Sequence, residues 1–90
     1  MVVAVFNGKW GNVTLMIAVS VDLILVEFAA KVRNRRHALA LTQEQLAERA
    51  EFHVNYIGGI ERAERNPSIT SLIALAKGLE CLGKDLLPDN

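Results

Sequence analysis

Four of the polar side chains between positions 43 and 66 lie at predicted helix ends or in a loop, where they can donate hydrogen bonds to phosphate oxygens: Gln43, Arg62, Arg65 and Asn66. Guanidinium and amide groups are among the donors that bind such oxygens in proteins. Gln43 begins a predicted helix, where free backbone N–H groups and the helix dipole also favour an anion. The other three lie at the end of a second predicted helix and in the loop after it. We expect all four to contact phosphate groups; the alternative is that they are solvated polar residues.

Residues for other kinds of chemistry are missing from the sequence. His37 and His53 are sixteen positions apart, without a carboxylate or cysteine at metal-ligand spacing, so we expect no metal site. Cys81 is the single cysteine, which excludes an internal disulfide and fits a reducing cytoplasm. We expect a buried core thiol there, with a redox or intermolecular role as the alternative. No nucleophile–base pair or phosphate loop is visible, so we expect neither an enzyme nor a cofactor.

Two short helices must position the donors, and the first has a clear start. Thr42 is an N-cap residue type, and Gln45 three residues later completes a capping box. Leu41 and Leu46 have the spacing of a hydrophobic staple across that cap.

The second helix repeats the staple with Phe52 and Ile57. Apolar residues follow a 3.6-residue period on both sides of a turn of about three residues. These inward positions are Leu46, Ala47, Ala50, Ile57 and Ile60. The pattern predicts a helix-turn-helix that presents its second helix to DNA.

Charge counts mildly against a nucleic-acid partner, because ten basic and ten acidic residues cancel. Contact with phosphates needs only local donors, however, and arginines cluster in and beside the predicted helices. They are Arg33, Arg35, Arg36, Arg62 and Arg65. With 90 residues, 51% of them apolar, the chain has enough material for one small packed domain.

The domain is predicted to span residues 23–90 and to be all-α. Its five helices are expected at about 23–39 (or 25–39), 43–50, 54–62, 69–79 and 84–87. Asp22 and Ser68 are candidate N-caps of the first and fourth helices. The inward residues of the fourth helix are expected to be Ile69, Leu72, Ile73, Ala76 and Leu79.

Residues 1–22 differ from the rest, because the first 26 residues hold eighteen apolar side chains and only two charges, Lys9 and Asp22. A β-branched run before Asn7-Gly8 indicates a type I′ hairpin. From Val13 to Val21 the apolar residues alternate as in a half-buried strand. An isolated hairpin is marginal in water and leaves open edges. We therefore expect this extension to pair with a second copy of the chain.

Two other interpretations of the extension remain open. One is a signal peptide or membrane anchor, although the apolar stretch is short, contains Asp22 and lacks a basic start. The other is a loosely ordered addition from translation that begins upstream of Met16.

The stretch from Phe28 to Leu87 resembles the phage-repressor and Cro-like (XRE-type) helix-turn-helix family over about two thirds of the chain. The combination of short motifs is specific, although no single one would be. The matching residues are Val32-Arg33 with Arg36, Leu41 to Ala47, Tyr56-Ile57 with Ile60-Glu61-Arg62, Arg65 to Ser68, and Leu75-Ala76-Lys77.

The resemblance implies a five-helix, lambda-repressor-like domain that docks its third helix in the major groove of double-stranded DNA. It implies a homodimer on a palindromic operator, with no membrane partner. Val54, Asn55 and Gly59 occupy the family's base-reading positions, where Asn55 can pair with adenine and Val54 can contact a thymine methyl group. Arg36 and Glu61 are implied to form a structural salt bridge between the first and third helices.

Departures from the family pattern concern backbone and donors. Glu51 and Ala63 stand where glycine is common, at an expected cost of roughly 1 kcal/mol each if the backbone is left-handed. Gly58-Gly59 lowers helix propensity by ~2 kcal/mol relative to alanine, and close approach of the backbone to DNA is one reason for it.

The sequence thus predicts a cytoplasmic, sequence-specific transcriptional regulator, with repression as the expected direction. The alternative is a protein-interaction, antitoxin or controller-type module with the same fold and weak reading of DNA. The neutral charge, the glycine pair and the apolar extension motivate that alternative.

Overall fold

The computed structural model describes residues 5–6, 9–10 and 13–89, and the side chains of residues 23–89. Four α-helices follow a short hairpin, and a 3-10 turn spans Gly83–Leu86. The strands are β1 (Val5–Phe6) and β2 (Lys9–Trp10), and the helices are α1 (Val13–Ala38), α2 (Gln43–Ala50), α3 (Val54–Glu61) and α4 (Ile69–Gly78). The fifth predicted helix, at 84–87, is therefore a 3-10 turn that begins one residue earlier.

The strands β1 and β2 pair antiparallel, with Val5 opposite Trp10 and Phe6 opposite Lys9. They flank the predicted Asn7-Gly8 turn, which itself lies outside the described residues. Pairing of this hairpin with a second copy stays a prediction.

The prediction of a strand from Val13 to Val21 is wrong, because α1 is one continuous helix from Val13. The predicted start at residue 23 or 25, with Asp22 as its cap, is wrong for the same reason. No glycine or proline interrupts residues 13–38, and an apolar run without breakers satisfies helix and strand periodicity alike. Within the described residues, no helix has the length and apolar character that crossing a membrane requires.

The core lies where α2, α3 and α4 meet the C-terminal half of α1. Its least exposed large side chains are Val32, Leu46, Ile57, Ile60, Leu75, Leu79 and Leu86. Of the residues predicted to face inward from α4, Leu72, Ala76 and Leu79 are buried. Ile69 and Ile73 are not, with 76% and 43% of their surface exposed. The buried stripe passes through Leu75 instead, which leaves both isoleucines on the outer side of the helix.

All four helices end in the same way, with a residue in the left-handed region that is not glycine. The residues and their φ angles are Ala40 (57°), Glu51 (59°), Ala63 (60°) and Glu80 (55°). In each case the next residue donates its N–H to a carbonyl five positions back, as Phe52 does to Ala47 and Glu64 to Gly59. This is the Schellman arrangement, which usually employs glycine at the left-handed position. Glu51 and Ala63, which stand where the family commonly has glycine, thus both have a left-handed backbone.

Candidate nucleic-acid interface

The start of α2 has the hydrogen bonds that its sequence predicts. The Gln45 N–H donates to Thr42 Oγ1 at 3.0 Å, and the Thr42 N–H donates to Gln45 Oε1 at 2.8 Å. These two bonds fix the first turn of α2 with Gln43 as its first residue.

The start of α3 is capped by His53, a residue type that the sequence does not indicate as a helix cap. His53 Nδ1 accepts a hydrogen bond from the Asn55 N–H at 3.0 Å, which requires that nitrogen to be unprotonated. Phe52, before the cap, packs edge to face on Tyr56 with ring centroids 4.9 Å apart. The chain therefore enters α3 along a fixed path.

The Glu61 carboxylate, only 2% exposed, lies at the meeting point of three helices. Arg36 from α1 donates to it twice, through Nε to Oε2 at 2.7 Å and through Nη2 to Oε1 at 2.9 Å. Gln43 from α2 adds a third bond, from Nε2 to Oε1 at 3.1 Å. The hydrogen bond to Glu61 raises the pKa of the Arg36 guanidinium above its ordinary value, against the opposing effect of burial. The Arg36–Glu61 salt bridge implied by the family resemblance is therefore present.

The other arginines of α1 hold helix ends rather than facing outward. Arg33 Nη1 donates to the backbone carbonyl of Glu61 at the end of α3. Arg35 donates to the carbonyls of Leu79 and Glu80 at 2.8 and 2.9 Å, beyond the end of α4. Cationic side chains at helix C-termini donate hydrogen bonds to the free carbonyls there and interact favourably with the negative end of the helix dipole. The sequence indicates these arginines only as local phosphate donors, because their acceptors lie 28 and 44 positions away.

Two of the predicted phosphate-contacting residues, Gln43 and Arg62, are brought together over Gly58. A Cβ atom placed on Gly58 would lie 2.9 Å from Arg62 Nη1 and 3.7 Å from Gln43 Oε1. Arg62 also forms an exposed ion pair with Glu64, from Nε to Oε1 at 3.1 Å. The start of α2 and the end of α3 thus meet at Gly58, where Arg62 is exposed and Gln43 is half-buried with its amide N–H donated to Glu61.

Gly59 does not lie on an open outer face, as its predicted base-reading role would require. It is buried, because the stem of Arg65 folds back over it. A Cβ atom on Gly59 would lie 2.8 Å from Arg65 Cγ and 3.4 Å from Arg65 Nε. At this position of α3 the group that meets solvent is therefore Arg65.

The remaining predicted contact residues differ in exposure. Asn55 is exposed on the first turn of α3, whereas Val54 is half-buried and packs against the core. Asn66 is exposed in the loop and borders a groove that Phe28, Ile69 and Leu87 also line. The structure does not join Asn66 to the cluster around Gly58.

Cys81 is half-buried rather than fully buried, and it packs at the edge of the core. Burial raises the pKa of its thiol, while the positive charge of Arg35 has a smaller, opposite effect. Residues 23–89 contain no group of histidine, cysteine and acidic side chains that could hold a metal ion.

Comparison with known proteins gives a consistent set of relatives. The helix-turn-helix family profile matches residues 32–85. Control protein C.SmaI of Serratia marcescens is 51% identical over 51 residues, which cover 57% of this chain and 61% of the relative. The match thus spans less than two thirds of that protein. Control protein C.BamHI of Bacillus amyloliquefaciens is 39% identical over 61 residues, covering 67% of this chain and 75% of the relative.

Solved structures of similar proteins agree with the fold. The restriction-modification controller protein C.AhdI from Aeromonas hydrophila superposes with a TM-score of 0.69 at 36% identity, over 70% of this chain and 96% of that one. The controller protein C.Esp1396I, solved as a tetramer on its natural 35-base-pair operator, gives 0.63 at 38% identity, over 64% and 76% of the two chains. The chain therefore belongs to the XRE-type helix-turn-helix family of phage-repressor and Cro-like proteins.

Proposed function

We propose that this protein is a sequence-specific DNA-binding transcriptional regulator of the restriction-modification controller type. It inserts α3 in the major groove and acts in the cytoplasm, as a binding protein rather than an enzyme. The observation that carries the proposal is the exposed Arg62 guanidinium beside the half-buried Gln43 at the end of α3, in a chain whose relatives include several controller proteins. Repression is the expected direction, because so small a domain has little surface left to recruit a polymerase.

The proposed contacts divide into two kinds. Gln43, Arg62, Arg65 and Asn66 bind phosphates and set the position of the domain on the duplex. Asn55 reads a base, since it is exposed on the first turn of α3 and its amide can pair bidentately with adenine. Val54 contributes an apolar contact with a thymine methyl group through the part of its side chain that the core leaves open.

A homodimer on a palindromic operator is part of the proposal. Ile69, Ile73, Leu82 and Leu87 expose 76%, 43%, 61% and 47% of their surface on the outer side of α4 and the C-terminal segment. Exposed apolar residues grouped in this way are typical of association sites. A second copy would bury them and place two α3 helices about one helical turn of DNA apart.

Selection of bound duplexes from a random pool tests the proposal directly. We expect an enriched palindrome, and light scattering of the complex should give two or more chains per duplex. Absence of any retained duplex at micromolar protein and low salt would contradict the proposal and favour a protein-interaction module.

Two substitutions then separate the contact types on the selected duplex. Gln43→Ala should weaken binding about equally for all sequences, because it removes a phosphate contact. Asn55→Ala should relax the preference at one base pair, at a cost of ~1–3 kcal/mol for the preferred base. Circular dichroism of both variants controls for folding, and equal losses on all sequences for Asn55→Ala would remove its assigned role.

A further inference from the structure

The glycine pair within α3 is not explained by helix stability. Each glycine in a helix interior lowers helix propensity relative to alanine. Both are buried, and the nearest atom over each belongs to an arginine, Arg62 at the end of α3 or Arg65 in the following loop. The two glycines therefore differ from ordinary helix positions in what lies on top of them.

The contacts at the two glycines differ in kind. At Gly58 the atom that a Cβ would meet is Nη1 of Arg62, the far end of a flexible side chain, which can swing aside. At Gly59 the atom is Cγ of Arg65, close to the backbone and only 2.8 Å from the Cβ position. Moving Cγ requires a different rotamer of the whole side chain, which carries the guanidinium to another place.

We propose that Gly59 is a positioning residue for Arg65. Because Gly59 has no side chain, the surface of α3 has a depression at this position. The aliphatic part of the Arg65 side chain occupies that depression, with Nε 3.4 Å from the Cβ position. Arg65 then presents its guanidinium from the surface of α3, although its backbone belongs to the following loop. This inference rests on the proposed function, because the guanidinium is placed to bind a DNA phosphate.

Charge supports the choice of Arg65 over its neighbour. Arg62 forms an exposed ion pair with Glu64, whereas Arg65 forms no ion pair with any of the described residues. A guanidinium held in one place without an acidic partner loses less conformational entropy and displaces fewer contacts when a phosphate arrives.

A double-mutant cycle, measured on the selected duplex, tests whether Gly59 positions Arg65. The variants are Gly59→Ala, Arg65→Ala and the double substitution, with Gly58→Ala as the matched control. We expect Arg65→Ala to weaken binding by about tenfold and to reduce the salt dependence of log K by about one. Gly59→Ala should weaken binding to a similar extent, and the double variant should bind no more weakly than Arg65→Ala alone. Gly58→Ala displaces only the mobile end of Arg62, so any loss of binding that it causes should add in full to that of Arg65→Ala, without coupling.

The urea midpoint separates positioning from damage to the fold. Alanine has the higher helix propensity, so the midpoint of Gly59→Ala should not fall in the Arg65→Ala background, where the covering side chain is gone. Unchanged binding of Gly59→Ala, or losses that add in full with Arg65→Ala, would overturn the inference. Failure of the unmodified chain to bind any duplex would instead overturn the proposed function.

Discussion

Replacement of Glu51 by glycine should stabilise the domain, although it removes a side chain from the turn between α2 and α3. Glu51 adopts φ 59° and ψ 43°, and its side chain is exposed. A left-handed backbone costs an L-residue ~1–2 kcal/mol, and glycine avoids that cost. Glycine also lowers the stability of the folded state by ~0.4–1 kcal/mol, because it increases the conformational entropy of the unfolded chain.

The net gain for Glu51→Gly is then ~1 kcal/mol, with a small addition because a negative charge leaves the C-terminal end of α2. For a domain of this size, such a gain raises Tm by about 4–8 °C. The backbone bonds from Glu51 to Glu48 and from Phe52 to Ala47 do not involve the side chain, so the substitution preserves them.

Glu48→Gly provides the matched control, because it makes the same chemical change three residues earlier in the last turn of α2. Glu48 is exposed and helical, so glycine there should destabilise the domain by roughly 0.5 kcal/mol. Both variants lose one negative charge near the same helix end, and their difference isolates the backbone contribution. Urea denaturation followed by circular dichroism measures both. Equal shifts, or a loss of stability in Glu51→Gly, would refute the reasoning.

Two further predictions concern other parts of the domain. Arg36→Ala should lower the free energy of unfolding by about 3 kcal/mol, because it leaves the Glu61 carboxylate buried with Gln43 as its remaining side-chain donor; a loss below about 1 kcal/mol in urea denaturation would contradict the assigned burial. The Cys81 thiol should react with a disulfide reagent along a pH profile whose midpoint lies above that of the unfolded chain, since burial raises its pKa. A midpoint at or below the unfolded value would show that Arg35 outweighs burial.

The elements that the sequence predicted best are those whose signals are local. The bounds of α2 were predicted correctly because Thr42 and Gln45 form its cap from within the same turn. The end of α1 was predicted at residue 39, one residue beyond its observed end at Ala38, because the cap of α2 at Thr42 requires α1 to end shortly before it. The start of α1 was predicted wrongly because the apolar residues from 13 to 22 fit the periodicity of a strand as well as that of a helix.

What the sequence could not predict depends on partners far along the chain. Arg33 and Arg35 find their carbonyl acceptors 28 and 44 positions away, so no local pattern indicates that they hold helix ends. The predicted buried face of α4 differs from the observed one for the same reason. Ile69 and Leu75 are both strongly apolar, and only the neighbouring elements determine that Leu75 is the buried one. At Gly59 the pattern placed the residue on the correct helix but could not show the side chain that covers it.

The three bonds received by the Glu61 carboxylate also bear on which molecule changes shape when the complex forms. A rotation of α3 would break bonds to α1 and α2 together in a site closed to water, so the protein resists it. In the proposed complex the duplex must then bend or change its groove width to meet a fixed helix. The energy of that deformation depends on base sequence. An operator for this protein should therefore show base preferences at positions that no side chain touches.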